Sequence, residues 1–226
     1  MNDRWFWLAG LILWVWTAGC QTTTAPPPVE DGGDIHRRIA ELRPDEADFA
    51  FTAPLEWGAN LVAGAHIVAV SPGEDPVDAG LLADGSAWTT WQSRACAPPP
   101  EILLDLGRTV TIARLVFFNR HTDARGTGGG NNAARHVELA VATESAAGPF
   151  RVVDTFELAG PRPHCIPMGQ GQLCFFIDRT EPSMFKIELE AARYVRLRLL
   201  SAYWEADIPA DWRSSVALSE LMLFGP

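Results

Sequence analysis

Lysine is the residue type that this sequence most clearly lacks. Lys186 is the only lysine among 18 basic residues, which are outnumbered by 28 acidic ones for a formal net charge of −10. A phosphate backbone would meet net repulsion from such a chain, so no nucleic-acid partner is expected. Nearly every positive charge is an arginine, whose planar fork suits carboxylates, phosphates and sugar hydroxyls, although a bias in genome composition would produce the same usage.

The motifs that identify common enzymes are missing as well. There is no H-E-x-x-H, no G-x-S-x-G and no P-loop, and no Cys/His pair has the pattern of a nucleophile with its base. Gly128, Gly129 and Gly130 have no following lysine, and "HVELAVAT" after them alternates like a strand, whereas a nucleotide loop leads into a helix. We therefore predict that the protein is not an enzyme and that these glycines lie in a strand-to-strand loop.

No hydrophobic run near the N-terminus is long enough to cross a membrane as a helix. The run from Trp5 to Trp16 is about a dozen residues, ~18 Å as a helix, against a hydrocarbon core of ~30 Å. It predicts a secretory signal. The ending Thr17-Ala18-Gly19-Cys20 resembles the lipobox of bacterial lipoproteins, which implies a signal peptide over residues 1–19 and lipid on Cys20. Gln21 in place of Asp favours the outer membrane of a bacterial envelope. The alternative is an ordinary signal peptide with an incidental Cys.

The next residues predict a tether and a short helix. Residues 20–33 are polar and rich in Pro and Gly, as in a flexible linker. An amphipathic helix is expected from Asp34, acting as N-cap, to Leu42, with Pro44 ending it. Residues 34–56 then form this helix and a lead-in, and residues 57–226 form one domain.

From residue 57 onward, short apolar alternations separated by turn residues replace helical spacing. In "YVRLRLL" the apolar residues at 195, 197 and 199 face one way and the two arginines between them face the other, as in a strand with one buried face. Asp105-Leu106-Gly107 predicts the end of a strand and a turn. Trp91 is expected to fill one end of the core. The apolar segment from Val216 to Phe224 is expected to pair with the sheet and close it. Many such strands predict an all-β antiparallel β-sandwich.

Six segments, in order, carry a family resemblance: "NLVAGAHIVAVS" from Asn60, "LLADGSAWTTW" from Leu81, "EILLDLGRTVTIARLVFF" from Glu101, "RHVELAVATES" from Arg135, "ARYVRLRLLSA" from Ala192 and "VALSELMLFG" from Val216. Together they resemble the discoidin, or coagulation factor 5/8 type C, domain. The resemblance implies the galactose-binding-like, jelly-roll β-sandwich that many carbohydrate-binding modules share, and it covers residues 57–226.

The same resemblance implies a structural calcium ion. In the family, a turn of the pattern D-G-acid-x-x-T-x-W and a glutamate of the last strand hold the cation. The matching positions here are Asp84, Ser86, Thr89 and Glu220, and Ser86 replaces the second acid. Carboxylate and carbonyl oxygens are the hard ligands that calcium takes. The alternative is a metal-free turn in which Asp84 is the cap and Glu220 accepts hydrogen bonds from the amides of the turn.

Ligand binding is expected in loops at one end of the sandwich, again by the resemblance. Sugar recognition needs hydrogen-bonding side chains and an aromatic face. The candidates are Trp88, Asn119, Arg120, His121, Arg125, Asn131, Asn132, Tyr203 and Trp204. Each also has a structural alternative: an ion pair for Arg120, left-handed turn conformations for the asparagines at 131 and 132, and packing for Trp204.

The cysteines predict one disulfide. Cys165 and Cys174 flank a hairpin-like loop, and an exported protein permits a bond between them; zinc bound with His164 is the alternative. Cys96 is left over. Residues 160–183 look like an insertion relative to the family.

The leading hypothesis is a non-catalytic, lipid-anchored envelope module that binds carbohydrate through its loops and contacts the membrane only through its anchor. The alternative is a structural or adhesive lipoprotein that binds another envelope protein and no sugar. Phospholipid headgroup binding is disfavoured, because the loop between Arg120 and Arg135 lacks exposed apolar residues.

Overall fold

A computed structural model describes residues 32–72, 74–93, 99–121, 131–168, 171–203 and 215–226. The signal peptide, the lipidation at Cys20, and the predictions on Cys96, Arg125 and Trp204 lie outside these residues. Within this part of the chain, no helix combines the length and the apolar character needed to cross a membrane.

Helix α1 (Gly32–Leu42) is the first described element. It buries Ile35 and ends two residues before Pro44, because the proline ring disfavours helical backbone in the residue that precedes it. The prediction of Asp34 as N-cap is wrong, since the helix begins at Gly32. The helix therefore begins before the apolar stripe that marked its start in the sequence.

Ten strands follow within the described residues: β1 (His66–Val70), β2 (Trp91–Gln92), β3 (Glu101–Phe118), β4 (Ala134–Ala142), β5 (Arg151–Glu157), β6 (Arg162–Met168), β7 (Gly171–Ile177), β8 (Ser183–Ala202), β9 (Ala217–Leu218) and β10 (Glu220–Phe224). A four-residue helix, α2 (Pro76–Ala79), lies between β1 and β2. Single 3-10 turns occupy Glu46–Phe49, Leu55–Trp57 and Gly80–Leu82.

The main sheet is antiparallel, with the order β1-β3-β8-β4-β5 and with β10 also paired to β3. The pairing of β10 confirms that the apolar end of the chain closes the sheet. The predicted strand end at Asp105-Leu106-Gly107 is wrong, since β3 continues through it with a shift in register against β8. Gly107 takes a positive φ there and donates its backbone N–H to Asp105, so the turn residues bend one long strand instead of ending it.

The core lies on the inner face of the main sheet. Val195, Leu197 and Leu199 are buried in it, as the alternation predicts, while the arginines between them lie on the outer face. The opposing layer is formed by apolar residues of α2, β2, β9 and the 3-10 turn at Gly80–Leu82. They pack in the same cluster and include Trp91 and Leu82. The fold is therefore an antiparallel β-sandwich, as predicted from the sequence.

The second half of β3 is buried on both of its faces. Leu115 and Phe117 face the main core, and Val116 and Phe118 face a second cluster that includes Phe49. The lead-in before β1 supplies that second cover, and its aromatic rings meet those of the sheet, as in the edge contact of Phe51 and Phe118 at 5.9 Å. A continuous apolar run is the pattern expected of a strand covered on both sides.

The segment that looked like an insertion forms a hairpin outside the main sheet. Strands β6 and β7 pair only with each other among the described strands, with Cys165 opposite Cys174. The two sulfurs are bonded at 2.09 Å, so these cysteines do not serve as zinc ligands.

Candidate functional site

The turn between α2 and β2 is held by its own side chains. Asp84 accepts a hydrogen bond from the backbone N–H of Ser86 at 2.8 Å and one from the hydroxyl of Thr89 at 2.8 Å. Thr89 also approaches the backbone oxygen of Ser86 at 2.9 Å, and Gly85 takes the positive φ that the turn requires. This network fixes Asp84 beside the end of the chain.

Glu220 on β10 faces this turn and is completely buried. No hydrogen bond of good geometry reaches its carboxylate oxygens from the described part of the chain, although the backbone N–H of Gly85 lies close enough to lower its pKa and the side chain of Asp84 close enough to raise it. Burial, together with the nearby charge of Asp84, raises the pKa of Glu220 to about 9. An ionised carboxylate in this position would need a compensating charge, because burying an unpaired charge is costly.

A hard divalent cation fits this pair of carboxylates. Asp84 and Glu220 would hold it, and it would supply the positive charge that the buried carboxylate of Glu220 lacks. No three or more His, Cys, Asp or Glu side chains in the described ranges are placed to hold a metal ion together, so backbone oxygens of the turn would have to complete the coordination. The hydroxyls of Ser86 and Thr89, the other two predicted ligands, lie in the turn and make the hydrogen bonds within it.

A cavity of about 410 Å³ lies where four segments of the chain meet. Trp88 comes from the turn just described, and Arg120 and His121 follow the end of β3. Phe176 in β7 and Asp178 just after it form another wall. The lining is completed by residues Arg43, Pro44 and Thr90.

Arg120 is held between aromatic rings and a carboxylate. Its guanidinium carbon lies 4.0 Å from the ring centre of Trp88 and 4.9 Å from that of Phe49. Its Nε donates to Asp178 at 3.2 Å, and its Nη1 donates to the backbone oxygen of Trp88. Such stacking is favourable for a cation over an aromatic face, and it fixes the direction in which the guanidinium points.

His121 is oriented by the same carboxylate. Its Nδ1 lies 2.6 Å from Asp178 Oδ1, which also accepts the backbone N–H of His121 at 2.9 Å. Burial alone would raise the pKa of Asp178, but the hydrogen bonds from His121 and the charge of Arg120 outweigh it and lower that pKa. An ionised Asp178 holds the proton on Nδ1 and leaves Nε2 as the other polar atom of the ring.

The three predicted asparagines lie away from the cavity, in buried positions. Asn119 donates from Nδ2 to the backbone oxygens of Ala134 and Ala159, at 2.7 and 3.0 Å. Asn131 accepts the N–H of Ala133 at 3.2 Å, and Asn132 donates to Ser215 at 3.2 Å. The side chains of Asn119 and Asn132 thus join segments that are distant in sequence, whereas that of Asn131 stabilises a local turn.

Tyr203 likewise serves the framework. Its hydroxyl donates to the backbone oxygen of Leu158, and its ring packs against Gly160 so closely that a Cβ at Gly160 would lie 2.6 Å from it. It therefore supports the root of the hairpin. The structure brings Trp88, Arg120 and His121 together and does not bring the asparagines or Tyr203 into the same cavity.

Sequence reasoning missed Phe176 and Asp178. Both lie in the segment interpreted only as an insertion, and Asp178 is 57 residues from the histidine that it orients. The predicted cysteine hairpin was the one signal that this segment is ordered, but no local pattern pairs it with β3.

No protein-family model matches the chain, and no curated protein matches it. Among solved structures, a family 32 carbohydrate-binding module from a family 31 glycoside hydrolase of Clostridium perfringens is similar, with a TM-score of 0.51 and 13% identity over 78% of this chain and 100% of that one. Another Clostridium perfringens module, in complex with GalNAc-β-1,3-galactose, has a TM-score of 0.49 and 18% identity, over 74% of this chain and 100% of its own. The first of these supports the assignment to the galactose-binding-like sandwich fold of carbohydrate-binding modules, which is the fold that the sequence resemblance implied.

Proposed function

We propose that this protein is a non-catalytic carbohydrate-binding module and that its ligand site is the cavity between Trp88, Arg120 and His121. One observation carries the proposal. Three residue types suited to sugar recognition converge on one cavity of about 410 Å³, and their orientations are fixed by contacts around it. A preformed, partly apolar cavity with a few placed polar groups is the usual form of a small-ligand site.

The polar contacts would come from Arg120 and His121. We assign to ligand hydroxyls the guanidinium Nη2, which the contacts to Asp178 and Trp88 do not use, and the Nε2 of His121. Because Asp178 holds both side chains in place, little rotamer entropy is lost when a ligand binds. The rings of Trp88 and Phe176 would face the apolar side of the sugar.

The proposal includes no catalysis because of the number of carboxylates in the cavity and the contacts that they already make. Asp178 is the one carboxylate among its described lining residues, and it is already bound to Arg120 and His121. Hydrolysis of a glycosidic bond by the common mechanisms needs two carboxylates that flank the bond. Binding alone is therefore the simpler activity, and the similar fold of a solved carbohydrate-binding module supports it.

Affinity electrophoresis of the full chain through gels that contain soluble polysaccharides tests this function. We expect at least one polysaccharide to retard the wild type, and His121→Ala and Arg120→Ala to abolish the retardation. Arg108→Ala is the matched control, since Arg108 is exposed on β3 and does not line the cavity. If no polysaccharide retards the wild type while an envelope protein co-purifies with it, the adhesive alternative replaces this proposal.

We propose two further features. The first is a calcium ion that stabilises the fold, held by Asp84 and Glu220 with oxygens of the turn. The second is an outer-membrane lipid anchor on Cys20, supported by the lipobox-like sequence before it. Labelled fatty acid should enter the wild-type chain in bacteria and should not enter Cys20→Ser; equal labelling of the two would refute the anchor.

A further inference from the structure

A second groove lies on the outer face of the main sheet, on residues that the proposed sugar site does not use. Its volume is about 440 Å³. Strands β1, β3 and β8 form its floor, and residues of the segment between β4 and β5 form one wall. Its lining includes apolar side chains, among them Val70, Leu103 and Phe150, and the charged residues Glu101, Arg196 and Arg198.

The charges in this groove are not evenly compensated. Arg198 lies opposite Glu101 on one neighbouring strand and Glu138 on the other, and its nitrogens approach their carboxylates at 2.8 and 3.2 Å. Its charge is therefore neutralised within the sheet. A surface cation with two carboxylate partners has little left to offer a ligand.

Among the described residues, Arg196 has no such ion pair. The residues opposite it are Leu103 on β3 and Ala140 on β4, and neither carries a charge. Its guanidinium carbon lies 4.7 Å from the ring centre of Phe150, and its Nε is buried without a hydrogen-bond partner among the described residues. Stacking on the ring holds the guanidinium in one plane, and because Nε is buried we assign the edge formed by the two Nη atoms to a planar anion.

We infer that this groove binds a sugar that carries a carboxylate, with Arg196 as the group that recognises the anion. A carboxylate matches the guanidinium fork in two parallel hydrogen bonds. The apolar walls from Val70, Leu103 and Phe150 fit the faces of a ring. Glu101, which pairs with the neighbouring Arg198, lines the same groove, so a dianionic phosphate would meet more repulsion there than a singly charged carboxylate.

This inference depends on the proposed function only in taking the ligand to be a saccharide. The two sites share no described lining residue, so they can succeed or fail separately. The strongly negative net charge of the chain opposes general attraction to polyanions, which makes a positive result specific.

Calorimetric titration of the full chain with uronic-acid oligosaccharides tests the inference. The probes are galacturonate, glucuronate and mannuronate oligomers, each compared with its methyl ester, which has the same ring without the charge. We expect at least one acidic oligomer to bind and its ester to bind at least about tenfold more weakly, the ratio that about 1.4 kcal/mol of binding free energy produces.

The variants separate this groove from the cavity. Arg196→Gln should weaken binding of the acidic oligomer at least about tenfold, and Arg196→Lys, which keeps the charge without the fork, should restore only part of it. Arg120→Gln reports on the cavity, and the matched surface control Arg108→Gln should bind like the wild type. Thermal unfolding of each variant checks that it is folded.

Three results would overturn the inference: no binding of any acidic oligomer, equal binding of acid and ester, or loss of binding in Arg120→Gln with Arg196→Gln unaffected. If acidic oligomers bind through Arg196 while no neutral glycan binds the cavity, the inference stands and the proposed function of the cavity fails.

Discussion

At the scale of single residues, Asp178 organises the candidate sugar site. It accepts hydrogen bonds from the side chains of Arg120 and His121 and from the backbone of His121, and its side chain is only 10% exposed. A carboxylate that orients two side chains at once makes their positions interdependent. Removing its charge is therefore expected to disturb both recognition groups together.

The lowered pKa of Asp178 predicts how its contribution to stability depends on pH. A carboxylate with a lowered pKa in the folded state stabilises the fold above its unfolded pKa, near 3.8, and loses that contribution as pH falls through the folded value. Asp178→Asn should lower the free energy of unfolding by about 2 kcal/mol at pH 7.

Urea unfolding of wild type and Asp178→Asn at pH 7 and at several values below 4 measures this dependence. The difference in free energy of unfolding between the two proteins should become smaller as pH falls below about 4. Asp154→Asn, on the exposed strand β5, is the control and should show no such narrowing. A difference that stays constant down to pH 2 would contradict the assigned role of the ionised carboxylate.

The residue types of the site were partly predictable from the sequence. Trp88, Arg120 and His121 follow a turn or a strand end, and such positions commonly expose polar groups. Asn119 and its two companions at 131 and 132 look the same in sequence, but their side chains are buried and bond to backbone groups or, for Asn132, to Ser215. Sequence gives the chemistry of a side chain, whereas the direction in which it points depends on tertiary packing.

At the scale of elements, the hairpin of β6 and β7 sets the shape of the cavity. It lies outside the main sheet, and the segment that follows it supplies Asp178. The disulfide between Cys165 and Cys174 closes it, and the packing of Tyr203 on Gly160 fixes its root. The position of Asp178 should thus depend on how well the hairpin is ordered.

Removing the disulfide is expected to weaken ligand binding more than it weakens the sandwich. The Cys165→Ser/Cys174→Ser double variant loses a constraint of about 2–3 kcal/mol on a loop of this length, and that loss falls on the hairpin. Hydrogen exchange should become faster in β6 and β7 and should stay unchanged in β3 and β8. Equal loss of protection in all four strands would contradict the view of the hairpin as a separate unit.

The elements of the sandwich follow from sequence patterns more directly than the hairpin does. The alternation in β8 predicts that one face of that strand is buried. The apolar run at the end of β3 predicts that both faces are buried. The bend at Gly107 was not predictable as a bend, because the same turn residues can end a strand or curve it. Which outcome occurs depends on whether a partner strand continues, and here β8 pairs on both sides of the bend.

At the scale of the whole molecule, the proposed cation would join the chain end to the turn at Asp84. Glu220 belongs to the strand that closes the main sheet, so a cation there would act on global stability. Calcium at about 100 times its dissociation constant should stabilise the fold by about 2.7 kcal/mol, which raises the unfolding temperature by roughly 5–10 °C in a domain of this size.

Thermal unfolding of metal-free protein, with and without added calcium, measures this effect. Glu220→Gln keeps the shape of the side chain without its charge, and calcium should not stabilise it. Glu188→Gln, on the exposed part of β8, is the matched control and should respond like the wild type. If calcium leaves the wild-type unfolding temperature unchanged, the proposal of a structural cation fails.

The central claim is that the cavity of Trp88, Arg120 and His121 binds a glycan. The most direct measurement compares the full chain, its Asp178→Asn variant and the Arg108→Gln control on one glycan array. We predict that the wild type and the control bind the same set of glycans. Asp178→Asn should bind these glycans at least about tenfold more weakly while still folded. Absence of binding by the wild type, or equal binding by Asp178→Asn, would contradict the claim.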